Sequence, residues 1–218
     1  MSARGPIARL DAVPMHVLVG AILAAHVVLA AILSFAGVLT FDGAGILVSA
    51  VLAVVVSIVA SLLFGRIAHR PAHVPSAAIT GLLVALIAAP ARMDAPSGIA
   101  DLAVVAAVCA LAAAAKVLVV VRGRLVANPA AVGLVVAGIA LPLLTPGAGV
   151  ELWWIAALPI LPLTIVGGAL VLLRTRLMGP GLALVVTGIV LQAAAYASFT
   201  GDVGAALGMP PTEIGAIA

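Results

Sequence analysis

Lys116 stands inside a long apolar run, IADLAVVAAVCALAAAAKVLVVV, five residues before its end. A charge at that depth of a membrane segment costs a few kcal/mol unless it snorkels to the interface or finds a partner. Snorkelling would carry it toward Arg122, like charge against like. The alternative points its ammonium into the bundle, toward an anionic ligand or toward carbonyls freed at the Asn128-Pro129 break downstream. Asn followed by Pro is itself a strong helix start, a capping side chain before a residue whose missing N–H costs nothing there.

Other reactive types are sparse. His16 and His26 are ten residues apart on one segment, about 15 Å in height, so they cannot share a metal and read as interface or packing residues. His69 and His73 have the i, i+4 spacing of metal ligands, but Pro71 interrupts them and no third ligand is near, which favours solvated loop histidines. The single cysteine, Cys109, excludes an intrachain disulfide and a cysteine zinc site; it reads as a small packing residue or as one ligand of a cluster shared with another chain. Gln192 suits an interhelical hydrogen bond, and Gly167 with Gly168 suits close packing or a kink. There is no dinucleotide-binding glycine pattern and no phosphate loop. No catalytic residue and no metal site is assigned.

The elements that position these residues follow from composition. Of 218 residues, 66% are apolar and 8% charged, against about a quarter charged in soluble domains. That excludes a water-soluble fold, because most of the outward surface must face something as apolar as the core. Scarce aromatics and the lack of a charged run exclude a nucleic-acid partner. The partner is a lipid bilayer, whose hydrocarbon takes about 20 helical residues to cross. Seven apolar segments meet or approach that length: Met15 to Leu39, Gly45 to Phe64, Val74 to Ala91, Ile99 to Val121, Pro129 to Leu144, Leu152 to Leu173 and Leu182 to Phe199. They lack the alternation of barrel strands and are read as helices. The expected fold is an all-α polytopic membrane protein of about seven transmembrane helices, a single domain over 1–218.

The charges orient it. Arg4, Arg9, Arg66, Arg70, Arg122, Arg124, Arg174 and Arg176 all fall on one side; Asp42, Asp94, Asp101, Glu151, Asp202 and Glu213 fall on the other, with Asp11 and Arg92 as exceptions. Short cytoplasmic loops accumulate Lys and Arg, so the N-terminus is placed inside. A six-crossing arrangement scrambles this sorting. Trp153, Trp154 and Tyr196 near outer ends agree with it. The first segment is longer than the core of a signal peptide, about 7 to 15 residues, and is read as a retained helix.

Two segments are irregular. Between Pro75 and Pro90 lie fourteen residues with Ser76, Thr80 and Gly81 in the first half, a rise of about 21 Å where the hydrocarbon measures about 30 Å. The fifth segment opens at Asn128-Pro129. Short or broken helices at membrane depth line ligand sites in some proteins, and in others are accommodated by local thinning of the bilayer.

The stretch SAAITGLLVALIAAP, followed by KVLVVVRGRLVANPAAVGL, resembles the NqrB/RnfD family of membrane subunits in respiratory electron-transport complexes. The family pattern of a Thr-Gly-Leu helix ending in proline, a lysine helix, a glycine turn and an Asn-Pro-Ala element corresponds to Thr80, Gly81 and Pro90, then Lys116, Gly123, Asn128, Pro129 and Ala130. The resemblance covers about 75–144. It implies a fold of about ten helices in two inverted repeats, flavin as cofactor, and electron transfer with other subunits in a bacterial inner membrane, coupled in some members to ion movement. This chain has fewer helices, so it is a shortened member or assembles with itself or another chain. Ala127 replaces the usual aromatic before Asn-Pro, and the Ser-Gly-Ala-Thr element that carries FMN covalently is absent; Thr200 and Thr212 have other neighbours. Noncovalent riboflavin or FMN is therefore the expected cofactor, with Ser76, Thr80, Gly81, Lys116, Gly123, Arg124, Asn128 and Pro129 as its site. Lys116, Arg124 or helix N-terminal amides would offset negative charge on the reduced ring or a phosphate. The alternative is a small-solute or ion transporter with a midplane site at the broken helices.

Overall fold

The computed structural model describes residues 12–121, 124–125, 127–144, 149–150 and 158–200. Backbone in lipid satisfies its polar groups within helices, and seven are found among the described residues: α1 (Met15–Phe35), α2 (Gly43–Ile67), α3 (Val74–Ile87), α4 (Gly98–Leu118), α5 (Pro129–Leu144), α6 (Leu161–Thr175) and α7 (Met178–Thr200). The all-helical architecture is as expected. α1, α2 and α4 are long and apolar enough to cross a membrane; α3, α5 and α6 are shorter. The fourth segment stops before its expected end at Val121. Val119 caps α4, and the valine-rich chain beyond it turns extended, as β-branched residues favour: Val120–Val121 (β1) pairs antiparallel with Arg124–Leu125 (β2). The third and sixth helices are also shorter than expected, ending at Ile87 and beginning at Leu161; part of the sixth expected segment, 152–157, and Trp153 and Trp154 lie outside the described residues.

Contacts divide the chain into two units, Met1–Gly167 and Gly168–Ala218. In the second, Leu172 packs on Gly181 where a side chain would collide. In the first, side-chain size rather than polarity decides which face turns inward. Ala53, Ala112, Ala130 and Ala137 have no exposure, while Val51 and Val59 on the far side of α2 are more than half exposed. That is the pattern of helices packing in lipid, where small residues let backbones approach. A Cβ on Gly81 of α3 would lie 2.5 Å from the Ala53 carbonyl oxygen of α2, and one on Gly133 of α5 would lie 2.7 Å from the Val108 carbonyl oxygen of α4.

The short third segment completes its path without a helix. Pro90 cannot continue α3, and Ala88 to Ala91 run on as extended or irregular chain, with Ala88, Pro90 and Ala91 buried. The main chain there has partners from α2. Ala91 N–H donates to Ser49 Oγ at 2.9 Å, and Gly45 leaves room for the Ala91 carbonyl. Asp42 caps α2 by accepting from Ala44 and Gly45 N–H, both at 3.0 Å, and also accepts from Met93 N–H at 3.1 Å. Helix and tail together follow α2 antiparallel from Gly65, beside Ala72, to Gly45, beside Ala91, a length of about 30 Å at 1.5 Å per residue. Irregular backbone at this depth is tolerated because protein buries it.

Candidate functional site

At the end of the first unit opposite Asp42, the C-termini of α2 and α4 meet the start of α3. The turn after α2 sets the geometry. His69 adopts φ 52°, His69 N–H bonds to the Arg66 carbonyl and Arg70 N–H to the Gly65 carbonyl. This pairing closes a helix with a left-handed residue, a place glycine usually holds. Gly65 is needed too: a Cβ there would sit 2.9 Å from the Arg70 carbonyl oxygen. The chain therefore leaves α2 folded back on itself and delivers Arg70 to His73 toward α4.

A cleft of about 230 Å³ results, with Ser61, Arg70, His73, Ser76 and Lys116 as its polar lining. Ala113 and Val117 of α4 and Leu125 of β2 contribute apolar wall. Lys116 Nζ donates to the Ser76 carbonyl at 2.9 Å and contacts Ser76 Oγ at 3.3 Å. Thr80 Oγ1 donates to the same carbonyl at 2.8 Å. The ammonium thus turns inward, onto a carbonyl and a hydroxyl of α3. It does not go to the Asn128-Pro129 break, where Asn128 O already accepts from Val132 N–H and Asn128 Oδ1 accepts from Ala130 N–H, each at 3.0 Å. α5 meets α4 lower down, at Val108 and Ala112.

Ser76 and Lys116 are thus brought together, and Thr80 joins them through one shared oxygen. Gly81 is buried against α2 and serves packing. Asn128 is exposed and caps α5, Pro129 opens that helix, and neither lines the cleft. Arg124 pairs through its main chain with Val121 in the ladder; its side chain and Gly123 lie outside the described residues. Sequence reasoning missed Ser61, Gly65, Arg70 and His73 as cleft residues. The spacing Ser57, Ser61, Gly65, with Arg70 five residues on, was the available signal, one small-residue face of α2 leading to a cation.

The charges around the cleft are unbalanced. Among the described residues the carboxylates are Asp42, Asp94 and Asp101, none of them in its lining. Asp101 is engaged at the far end, accepting from Arg92 N–H at 3.1 Å, Arg92 Nε at 3.3 Å and Ser97 Oγ at 3.3 Å. His26 is buried between Ile22 O at 2.7 Å and Thr164 Oγ1 at 3.1 Å, a fully partnered packing histidine, and Gly167 packs against Ile22. His16 is exposed, Gly168 has open space where a side chain would be, and Cys109 is buried in the core. Gln192 and Tyr196 have side chains outside the described residues. No three His, Cys, Asp or Glu side chains gather as metal ligands among the described residues.

Comparison with protein-family models, curated proteins and solved structures found no match. The chemistry of the cleft therefore rests on its own residues, cationic donors and hydroxyls, which are able to hydrogen-bond an electron-rich group.

Proposed function

We propose that this chain is a redox membrane subunit resembling the NqrB/RnfD family, holding a flavin noncovalently and exchanging electrons with partner subunits or with further copies of itself. The observation that carries the reading is the meeting of the two sequence elements behind the resemblance. Ser76 of the Thr-Gly-Leu helix and Lys116 of the lysine helix, forty residues apart, share a hydrogen bond at the mouth of a cleft.

A flavin supplies the electron-transfer chemistry when bound. At about 230 Å³ the cleft is smaller than the pockets of about 300 to 1,000 Å³ that enclose whole ligands, so it receives one polar end of the molecule. Lys116, Ser76 and Arg70 would hold that end, their positive charge offsetting the negative charge of a reduced ring edge or a phosphate. The basic ends of the helices face the cytoplasm of a cell inner membrane. A midplane transport site is less well supported: the cleft lies at the helix ends, and halfway along α3 Gly81 closes directly onto the Ala53 carbonyl.

The test is an absorption spectrum of the full chain freshly purified in mild detergent, followed by acid precipitation. Flavin bands near one per chain that move to the supernatant support noncovalent binding. Well-folded protein without them ends the redox reading.

A further inference from the structure

Arg70, His73 and Lys116 converge on one cleft from a loop, a helix start and a helix end. Among the described residues no acidic side chain lines it and Arg70 makes no ion pair. Lys116 has three donors, two of which are directed at Ser76, so one N–H is left. The Ser76 hydroxyl donates as well as accepts. His73 and Ser76, at the start of α3, line the cleft, and that helix start, which includes Pro75, has no side-chain cap. Its partial positive charge adds to the two cations. Leu125 of the lining is exposed and apolar, as are Ile67, Val74 and Leu118, which lie within two residues of Gly65, His73 and Val117 of the lining.

We propose that the cleft binds a phosphoryl group carried on an apolar or amphiphilic body. A tetrahedral oxyanion matches donors that arrive from several directions, whereas a neutral ligand would leave the charges of Arg70 and Lys116 unbalanced. The volume suits a phosphate and the few atoms beside it, and the apolar mouth suits the remainder. Two sources present this chemistry, an anionic membrane lipid and a soluble phosphate ester such as FMN. The proposal deepens the flavin reading by assigning the cleft to the phosphate end, and it rests on that reading only for the place of the ligand.

The full chain is reconstituted in phosphatidylcholine nanodiscs, alone or with a minor share of phosphatidylglycerol. Native mass spectrometry counts retained phosphatidylglycerol, and thermal unfolding in inorganic phosphate or FMN reads the soluble source. The Arg70→Gln/Lys116→Gln double variant is compared with Arg66→Gln, which removes a charge from the same end outside the cleft. Removing one charge-assisted hydrogen bond to the phosphoryl group lowers affinity by about tenfold, so the double variant loses its probe while Arg66→Gln retains it. Retention of phosphatidylglycerol alone assigns the site to lipid, and stabilisation by phosphate or FMN assigns it to a soluble ester. Binding of no probe by the parent, or equal binding by the double variant, overturns the proposal, as does equal loss in Arg66→Gln. Should the double variant misfold, Arg70→Gln alone gives the comparison, since its side chain is exposed. Spectra of the same samples separate the two readings. Phosphoryl binding without flavin bands removes only the redox function; flavin retained by a double variant that has lost phosphatidylglycerol removes the cleft as the flavin site and leaves the phosphoryl site to lipid.

Discussion

The Lys116 ammonium and the Ser76 carbonyl, 2.9 Å apart, tie the last turn of α4 to the first turn of α3. A hydrogen bond with a charged partner contributes about 1.5 to 3 kcal/mol net, and the partial exposure of this pair places it near the lower figure. Lys116→Met should therefore lower unfolding stability in mild detergent by about 1.5 kcal/mol and reduce flavin per chain several-fold. Asn128→Ala should cost about 1 kcal/mol through removal of its cap and leave the flavin content unchanged. Equal loss of flavin in both variants would return Asn128 to the site.

Ser49→Ala removes the acceptor of the buried Ala91 N–H. An orphaned buried donor costs about 1 to 3 kcal/mol. The variant should unfold earlier in a denaturant titration, and the amide of Ala91 should exchange its hydrogen faster than in the parent.

Gly81→Ala places a methyl 2.5 Å from the Ala53 carbonyl oxygen, whereas a Cβ at Gly138 meets nothing within 4 Å. The first change should destabilise by about 1 to 3 kcal/mol through overpacking. Gly138→Ala should be neutral or stabilise by up to about 1 kcal/mol through helix propensity. Parallel unfolding curves check both signs.

His69→Gly relieves a left-handed backbone at φ 52°, which costs a side-chain-bearing residue about 1 to 2 kcal/mol. Its greater unfolded-chain entropy returns about 0.5 to 1 kcal/mol. A net gain of about 0.5 kcal/mol is expected, with the cleft intact because the turn keeps its hydrogen bonds; a loss of stability would show that His69 has a further role.

Single cysteines at Thr40 and Arg66, in a Cys109→Ser background, should label from opposite faces of a sealed vesicle. Both positions are exposed, at opposite ends of α2 or its lead-in turn. Labelling of both from one face would overturn the crossing by α2, and Arg66→Cys reacting from the outer face would overturn the orientation read from the basic residues.

Much of the fold was legible because membranes leave few choices. Runs of apolar residues name the helices, and the sorting of charges by sign separates Asp42 and Asp101 from Arg66 and Arg70. An inward course for Lys116 was readable from its depth as one of two alternatives, the other being snorkelling toward Arg122. Its partner was not, because Ser76 lies forty residues away and nothing in its neighbours marks its carbonyl as an acceptor. The cleft escaped detection for a related reason. It depends on His69 taking a left-handed conformation in place of glycine, and on Gly65 admitting the returning loop, both effects of three-dimensional crowding. Asn128 illustrates the converse: its strong local capping signal was correct for α5, yet local signals do not say which helix end borders a cavity.

The dependence of the Ala91 and Met93 main chain on Ser49 and Asp42 bears on how the protein is made. The buried Ala91 N–H has no acceptor of its own in lipid, so releasing α3 and its tail singly into the bilayer would strand that group at several kcal/mol. α2 is synthesised first and holds the acceptors ready. The two segments should accordingly leave the insertion machinery as a hairpin, with Ser49 and Asp42 acting as a built-in receiving surface for the chain that follows.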